Sequence, residues 1–211
     1  MFVELIETLR CPRPHEDAQL VASSTRTEAR HIVDGVLGCP VCGAEFTIAN
    51  GVARFGEQPQ ATQPEAPDPE TAMRIAAFLE LTDARGFALL CGRWGAHVDQ
   101  VQRLTETQLV LVNPPSDVPA DVAAGVVLTS EGMPFAAGSA RALALDGPAS
   151  SDFITSAIRA VRAGGRVLGP ASLALPEDVT EIARDARMWV GEKTAASDAT
   201  PRLVSIKKAP R

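Results

Sequence analysis

The segment Ala88–Val98 reads ALLCGRWGAHV, and it decides how the larger part of this chain is interpreted. A buried-strand pattern over Phe87–Leu90 runs into a short turn, and a helix-like pattern follows. Strand, glycine-containing turn and helix in this order are typical of a cofactor site in an α/β protein. Only Gly92 and Gly95 are glycines here, and Trp94 stands between them. The stretch therefore predicts the scaffold of such a site without most of its binding groups.

Composition excludes several classes of function. The 211 residues are 45% hydrophobic and 22% charged, which is ordinary for a globular protein. A net charge of −6 argues against broad electrostatic binding to nucleic acid or to an anionic membrane. Tyrosine is absent and aromatic residues make up 4% of the chain, so few side chains could stack on nucleic-acid bases. No apolar run approaches the ~20 residues of a membrane span, and the acidic start MFVELIETLR is unlike a secretory leader. We expect a cytoplasmic protein with neither nucleic acid nor membrane as partner.

A proline-rich, acidic segment divides the chain. Residues 56–70 hold four prolines and four acids with no base and no large apolar side chain, so they cannot bury a core. The sequence therefore predicts a small domain over residues 1–55, a linker over residues 56–70 and a larger domain over residues 71–211.

The larger domain alternates apolar strand patterns with helix patterns. Helices are predicted at 71–82, 96–104 and 151–163, the last capped by Ser151 or Asp152 and stopped by Gly164–Gly165. Strands are predicted at 87–90, 108–113, 125–129, 140–146, 165–169, 187–195 and 202–209. Continuous apolar strands alternating with helices imply a parallel sheet covered on both faces, and the last two strands imply an antiparallel edge. The predicted fold class is α/β, with a seven-stranded, doubly wound, Rossmann-like sheet after the small domain.

Residues 87–209 resemble the S-adenosylmethionine-dependent methyltransferases with this Rossmann-like fold. The similarity is carried by EGMPFAAGSARALALDG (131–147), by AIRAVRAGGRVLG (157–169) with its glycine pair, and by the final predicted hairpin. The resemblance implies a cofactor site at the end of the first strand, where family members have an acid and then G-x-G-x-G. Leu89 stands in place of the acid, and the glycine positions are Cys91, Arg93 and Gly95.

The remaining cofactor positions also depart from the family. The acid that binds the ribose hydroxyls is replaced by Asn113, and the acid that contacts adenine falls near Thr129 or Ser130, with Glu131 close by. Arg141 replaces the aspartate that opens the fourth strand. Each lost charge-assisted contact costs ~1.5–3 kcal/mol, so two or three losses weaken affinity about a thousandfold. The resemblance thus implies a degenerate site made of Cys91, Arg93, Gly95, Asn113 and Glu131.

We assign no catalytic residue from the sequence. His97 is a lone histidine in a first helical turn, typical of a surface or capping residue, and Cys91 has no readable His–carboxylate partner. The Asn113–Ser116 segment, NPPS, follows the second strand and is interpreted as a rigid turn.

The small domain carries a metal-binding pattern. Cys39-Pro40-Val41-Cys42-Gly43 is a zinc knuckle, in which a tight turn points two thiolates at one ion. Cys11 supplies a third ligand. Pro14 occupies the usual position of the fourth, and His15 is the candidate in its place, ahead of His31. The predicted set is Cys11, His15, Cys39 and Cys42 around a structural zinc; the alternative is a ribbon that has lost its metal and buries its thiols.

Residues 1–55 resemble a family of small zinc-ribbon proteins. The similarity rests on the helix-like ELIETLRCP, the central LGCPVC and the hairpin-like FTIANGVARF with its Asn50–Gly51 turn. Relatives in that family bind and activate methyltransferases through an apolar surface strand or helix, which implies a protein partner.

Two functions follow as hypotheses. The first is a non-catalytic adaptor that holds a protein partner, either another methyltransferase or a second copy of the chain. The second is an active methyltransferase with an atypical cofactor loop, in which Trp94 or Glu131 replaces the missing contacts. A nucleic-acid module built on the ribbon is the least favoured reading of this acidic chain.

Overall fold

The computed structural model describes residues 1–57, 66–146 and 149–194. Within these ranges the chain forms one eleven-stranded mixed sheet with three α-helices and three short 3-10 helices. No helix among these residues is long and apolar enough to cross a membrane.

The first four strands form an antiparallel meander. They are β1 (Val21–Glu28), β2 (His31–Gly38), β3 (Glu45–Ala49) and β4 (Val52–Phe55). The expected hairpin of β3 and β4 is confirmed: its turn residues Asn50 and Gly51 both have positive φ, as a type I′ turn requires. The helix expected near the N-terminus is a 3-10 helix, Val3–Thr8.

The other seven strands come from the second part of the chain. They are β5 (Phe87–Cys91), β6 (Gln108–Val112), β7 (Gly125–Thr129), β8 (Ala140–Ala144), β9 (Val161–Pro170), β10 (Val179–Arg184) and β11 (Met188–Lys193). The helices are α1 (Pro69–Phe78), α2 (Val98–Gln102) and α3 (Ser151–Ala160). Strands β5 to β9 are mutually parallel, whereas β11 runs antiparallel between β9 and β10.

The prediction of a seven-stranded sheet is wrong for the sheet as a whole. The strand order is β1-β2-β3-β4-β7-β6-β5-β8-β9-β11-β10, so the meander continues the larger sheet. The junction is a parallel pairing of β4 with β7, in which Val52 lies opposite Val126 and Phe55 opposite Thr129. Parallel strands that pair lie far apart in sequence. No local sequence pattern therefore predicts the pairing of β4 with β7. The division into two domains stays a prediction.

Several element boundaries differ from the predictions. Ser150 rather than Ser151 or Asp152 caps α3, because its hydroxyl accepts the Phe153 backbone N–H. Helix α3 ends at Ala160 rather than at Gly164–Gly165, because Val161 is already extended and begins β9. Strand β10 was not predicted. The predicted strand at 202–209 lies outside the described residues.

Two apolar layers cover the sheet. On one face α1 and α2 pack onto β5 and β6 around residues such as Ile75 and Val101. The core of the other face contains residues of both the meander and the larger part of the chain, among them Phe55 and Phe135. The N-terminal segment crosses this face, where Leu9 forms a bridge with Phe135. One apolar core thus joins the two parts of the chain.

We expect Phe55→Ala to destabilise the whole sheet. Phe55 is fully buried on β4, its ring 4.8 Å from that of Phe46, so the truncation should lower the free energy of unfolding by about 3–5 kcal/mol. Tryptophan fluorescence provides the measurement, because Trp94 and Trp189 both lie beyond the meander. Val21→Ala, at an exposed site, is the control. A tryptophan transition that Phe55→Ala leaves unchanged would show that the meander unfolds independently.

Candidate metal centre and ligand crevice

The four predicted metal ligands lie together at one end of the meander. The Sγ atoms of Cys11, Cys39 and Cys42 and a ring nitrogen of His15 all fall within 4.8 Å of one another. Cys11 Sγ is 3.9 Å from Cys42 Sγ, and Cys39 Sγ is 3.5 Å from His15 Nε2. His15 therefore reaches the cluster from the loop after Cys11, one position beyond Pro14. His31, the less favoured candidate, lies elsewhere, with its ring against Phe2.

Local backbone contacts shape this cluster. The knuckle closes through a 3.0 Å hydrogen bond from the Gly43 N–H to the Cys39 carbonyl, and Gly43 takes the positive φ of 68° that the bend requires. His15 Nδ1 is 2.6 Å from the Glu16 carbonyl. If Nδ1 donates that bond, the lone pair of Nε2 points to the cluster, which is the arrangement of a metal-bound imidazole.

The thiols differ in acidity. Burial acts to raise the pKa of Cys39, but N–H groups of Cys42 and Val41 stabilise its thiolate and bring the pKa down to about 7. Burial, together with the neighbouring Cys39, raises the pKa of Cys11 to about 12. Deprotonation of a second cysteine is thus unfavourable unless a cation binds at the same site. Three sulfurs and one imidazole nitrogen suit a closed, tetrahedral zinc site.

The second candidate site is the crevice at the carboxyl ends of β5 and β8. Asp146, just after β8, is 9% exposed, and its Oδ2 accepts the Arg93 backbone N–H at 3.0 Å. Its Oδ1 lies 3.4 Å from Arg93 Nε, an ion-pair distance. The Arg93 guanidinium also lies over the Trp94 ring, 4.9 Å from the centroid. An arginine and an aspartate therefore fill the space in front of the turn.

Both glycines of the turn are enclosed by protein atoms. A Cβ on Gly92 would collide with the Asp146 carboxylate, and a Cβ on Gly95 would lie 2.9 Å from Pro114 Cβ. The room that glycine provides is thus filled by the chain itself. Pro114 belongs to the NPPS segment, so the rigid turn after β6 closes over the turn after β5.

The aromatic and sulfur groups of the turn are buried as well. Trp94 is 4% exposed, and its indole N–H donates to the Leu145 carbonyl at 2.5 Å. Cys91 is buried, and burial together with the negative charge of Asp146 raises the pKa of its thiol. His97, expected to be a surface or capping residue, is buried at the N-cap position of α2, and its Nδ1 accepts the Asp68 N–H at the start of α1. These contacts anchor the turn and make Cys91 a poor nucleophile.

Asn113 ties two strand ends together. Its Oδ1 accepts the Thr129 N–H at 2.8 Å, and its Nδ2 donates to the Thr129 carbonyl at 2.9 Å. Both ends of the side-chain amide are therefore engaged with the backbone of the last residue of β7. Glu131 lies nearby against Gly56, and its Oε2 is buried with no hydrogen-bond partner among the described residues.

The structure thus separates the predicted cofactor positions. Arg93 and Gly95 line the crevice, Cys91 is buried beneath it, and Asn113 and Glu131 lie at the neighbouring strand ends. The residue that the sequence interpretation missed is Asp146. A signal was present, because an acid directly following an apolar strand pattern lies at the carboxyl edge of a parallel sheet.

The groups of the crevice contact one another. In the described residues, the crevice carboxylate is paired with Arg93, and the backbone around Gly92 and Gly95 is covered.

No protein-family model and no curated protein matches the chain. Solved structures with similar folds include geranyl diphosphate C-methyltransferase from Streptomyces coelicolor, with 15% identity over 47% of this chain and 44% of that one, at a TM-score of 0.39. The tRNA (m1A58) methyltransferase from Aquifex aeolicus has 12% identity over 64% of this chain and 73% of that one, at a TM-score of 0.45. An RNA methyltransferase from Salinibacter ruber has 15% identity over 63% of this chain and 95% of that one, at a TM-score of 0.43.

All three of these proteins are methyltransferases. This chain spans less than half the length of the geranyl diphosphate enzyme. At such low identities and TM-scores the likeness carries no conclusion about activity, substrate or partner.

We expect one zinc ion per chain, lost on Cys39→Ser and weakened by His15→Ala. The metal should be lost as the pH falls, because protons compete with it for the thiolates and the imidazole. Metal analysis after dialysis and thermal unfolding with and without chelator provide the measurements. His31→Ala is the matched control, since His31 lies outside the cluster. Equal zinc content in the wild type and Cys39→Ser would contradict this ligand set.

Proposed function

We propose that this protein is a methyltransferase-like protein that does not turn over S-adenosylmethionine and serves as a non-catalytic, partner-binding adaptor. The observation that carries this proposal is the closed state of the crevice. Arg93 pairs with Asp146, and both glycines of the turn are covered by protein atoms. Free ligand must displace these contacts, and the anchors expected at Leu89 and Asn113 offer no carboxylate in return.

In this proposal the ribbon has a stabilising role within the sheet. Its last strand, β4, pairs with β7, and its N-terminal segment covers one face of the sheet. The relatives that the ribbon resembles use a surface strand or helix to hold a separate methyltransferase. Here the equivalent contact is made within one chain, so the ribbon acts first as a stabilising part of the sheet. A structural zinc contributes about 10–16 kcal/mol to folding in small metal-binding peptides, which is large against a 55-residue unit.

The partner in this proposal is a protein, either another methyltransferase or a second copy of the chain. The net charge of −6 supports a protein rather than a nucleic acid.

One observation favours an active methyltransferase as the second candidate. Glu131 Oε2 is buried and has no hydrogen-bond partner among the described residues, and it lies at the sheet edge where a nucleoside would bind. Trp94, the other residue expected to compensate, is unsuited to that role because its indole N–H is already bonded to Leu145.

We expect titration with S-adenosylmethionine and S-adenosylhomocysteine to give no saturable heat at micromolar concentration. The loss of two or three charge-assisted contacts weakens binding about a thousandfold, from micromolar toward millimolar. Isothermal titration calorimetry on zinc-loaded, full-length protein makes the measurement. Glu131→Gln is the companion variant: saturable micromolar binding that this substitution removes would establish the active alternative.

A further inference from the structure

The crevice between β5 and β8 is the place where an open parallel sheet binds ligands. The chain leaves β5 toward β6 on one side, while β8 pairs with β5 on the other. Ligands of such sheets bind beyond the carboxyl ends of the strands at this point of reversal. In this protein Arg93 follows β5 and Asp146 follows β8, so both belong to that crevice.

The two side chains differ in their access to solvent. The Asp146 side chain is 12% exposed, whereas that of Arg93 is 37% exposed. The carboxylate is therefore the wall of the crevice, and the guanidinium reaches it from the open side. Because Gly92 has no side chain, the carboxylate contacts the backbone of the turn directly. Nothing bulkier fits there.

We propose that the Arg93 side chain occupies this crevice and blocks the Asp146 carboxylate. That carboxylate is a binding site for the ammonium group of a nucleoside that carries an amino acid. The inference rests on the proposed function and explains it. A cation tethered within the turn is present at a high effective concentration, so it outcompetes a free ammonium for the same carboxylate.

The test is to remove the guanidinium. Arg93→Gly restores a glycine to the turn, and Arg93→Ala removes the cation with less change in backbone freedom. We expect each variant to bind S-adenosylmethionine and S-adenosylhomocysteine at least about tenfold more tightly than the wild type, as calorimetry measures. Adenosine, which lacks the ammonium, should show no such gain.

Three controls test whether the gain in affinity comes from replacing the Arg93 guanidinium with the ligand's ammonium group at Asp146. Arg93→Lys keeps a positive charge and should bind like the wild type. Arg85→Gly removes an exposed arginine outside the crevice and should also leave binding unchanged. In the double variant Arg93→Gly, Asp146→Asn the gain should disappear. Thermal unfolding followed by tryptophan fluorescence establishes that each variant is folded.

The outcomes separate this inference from the proposed function. If folded Arg93→Gly and Arg93→Ala bind no more tightly than a weakly binding wild type, the occupant role is wrong and the proposed function stands. An equal gain with adenosine would place the effect on the backbone rather than on Asp146, and would also overturn the inference. If the wild type itself binds at micromolar concentration, both proposals fail.

Discussion

The parallel pairing of β4 with β7 is the constraint on which the rest of the structure depends. It turns a four-stranded meander and a seven-stranded α/β sheet into one continuous sheet. The N-terminal segment lies across the sheet face that holds Phe55 and Phe135. Leu9 then meets Phe135, and the Phe2 N–H donates to the Ala124 carbonyl at 2.7 Å. Without that pairing, β7 would be an open edge.

The metal cluster lies at the far end of the same meander. Its contribution to folding is local, because Cys39 and Cys42 hold the turn between β2 and β3, while Cys11 and His15 fasten the segment after the 3-10 helix. The four ligand atoms could hold a zinc ion, which would stabilise this end of the meander and have no open coordination position for chemistry.

The crevice illustrates how a binding scaffold is closed by ordinary contacts. An ion pair, a tryptophan hydrogen bond and a proline packed on a glycine together fill the space at the ends of β5 and β8. Each contact is modest in energy, yet a ligand has to displace them at the same time. Leu89 offers no carboxylate at the end of β5, and Arg93 pairs with Asp146.

Patterns along the chain predicted most of the local elements and the residues of the Cys/His cluster. Apolar runs such as Gln108–Val112 predicted buried strands, and the spacing of Cys39 and Cys42 predicted a knuckle, because both depend on neighbours in sequence. The joining of β4 to β7 and the meeting of Arg93 with Asp146 were beyond such reasoning. Each brings together residues more than fifty positions apart, so only the folded sheet places them in contact.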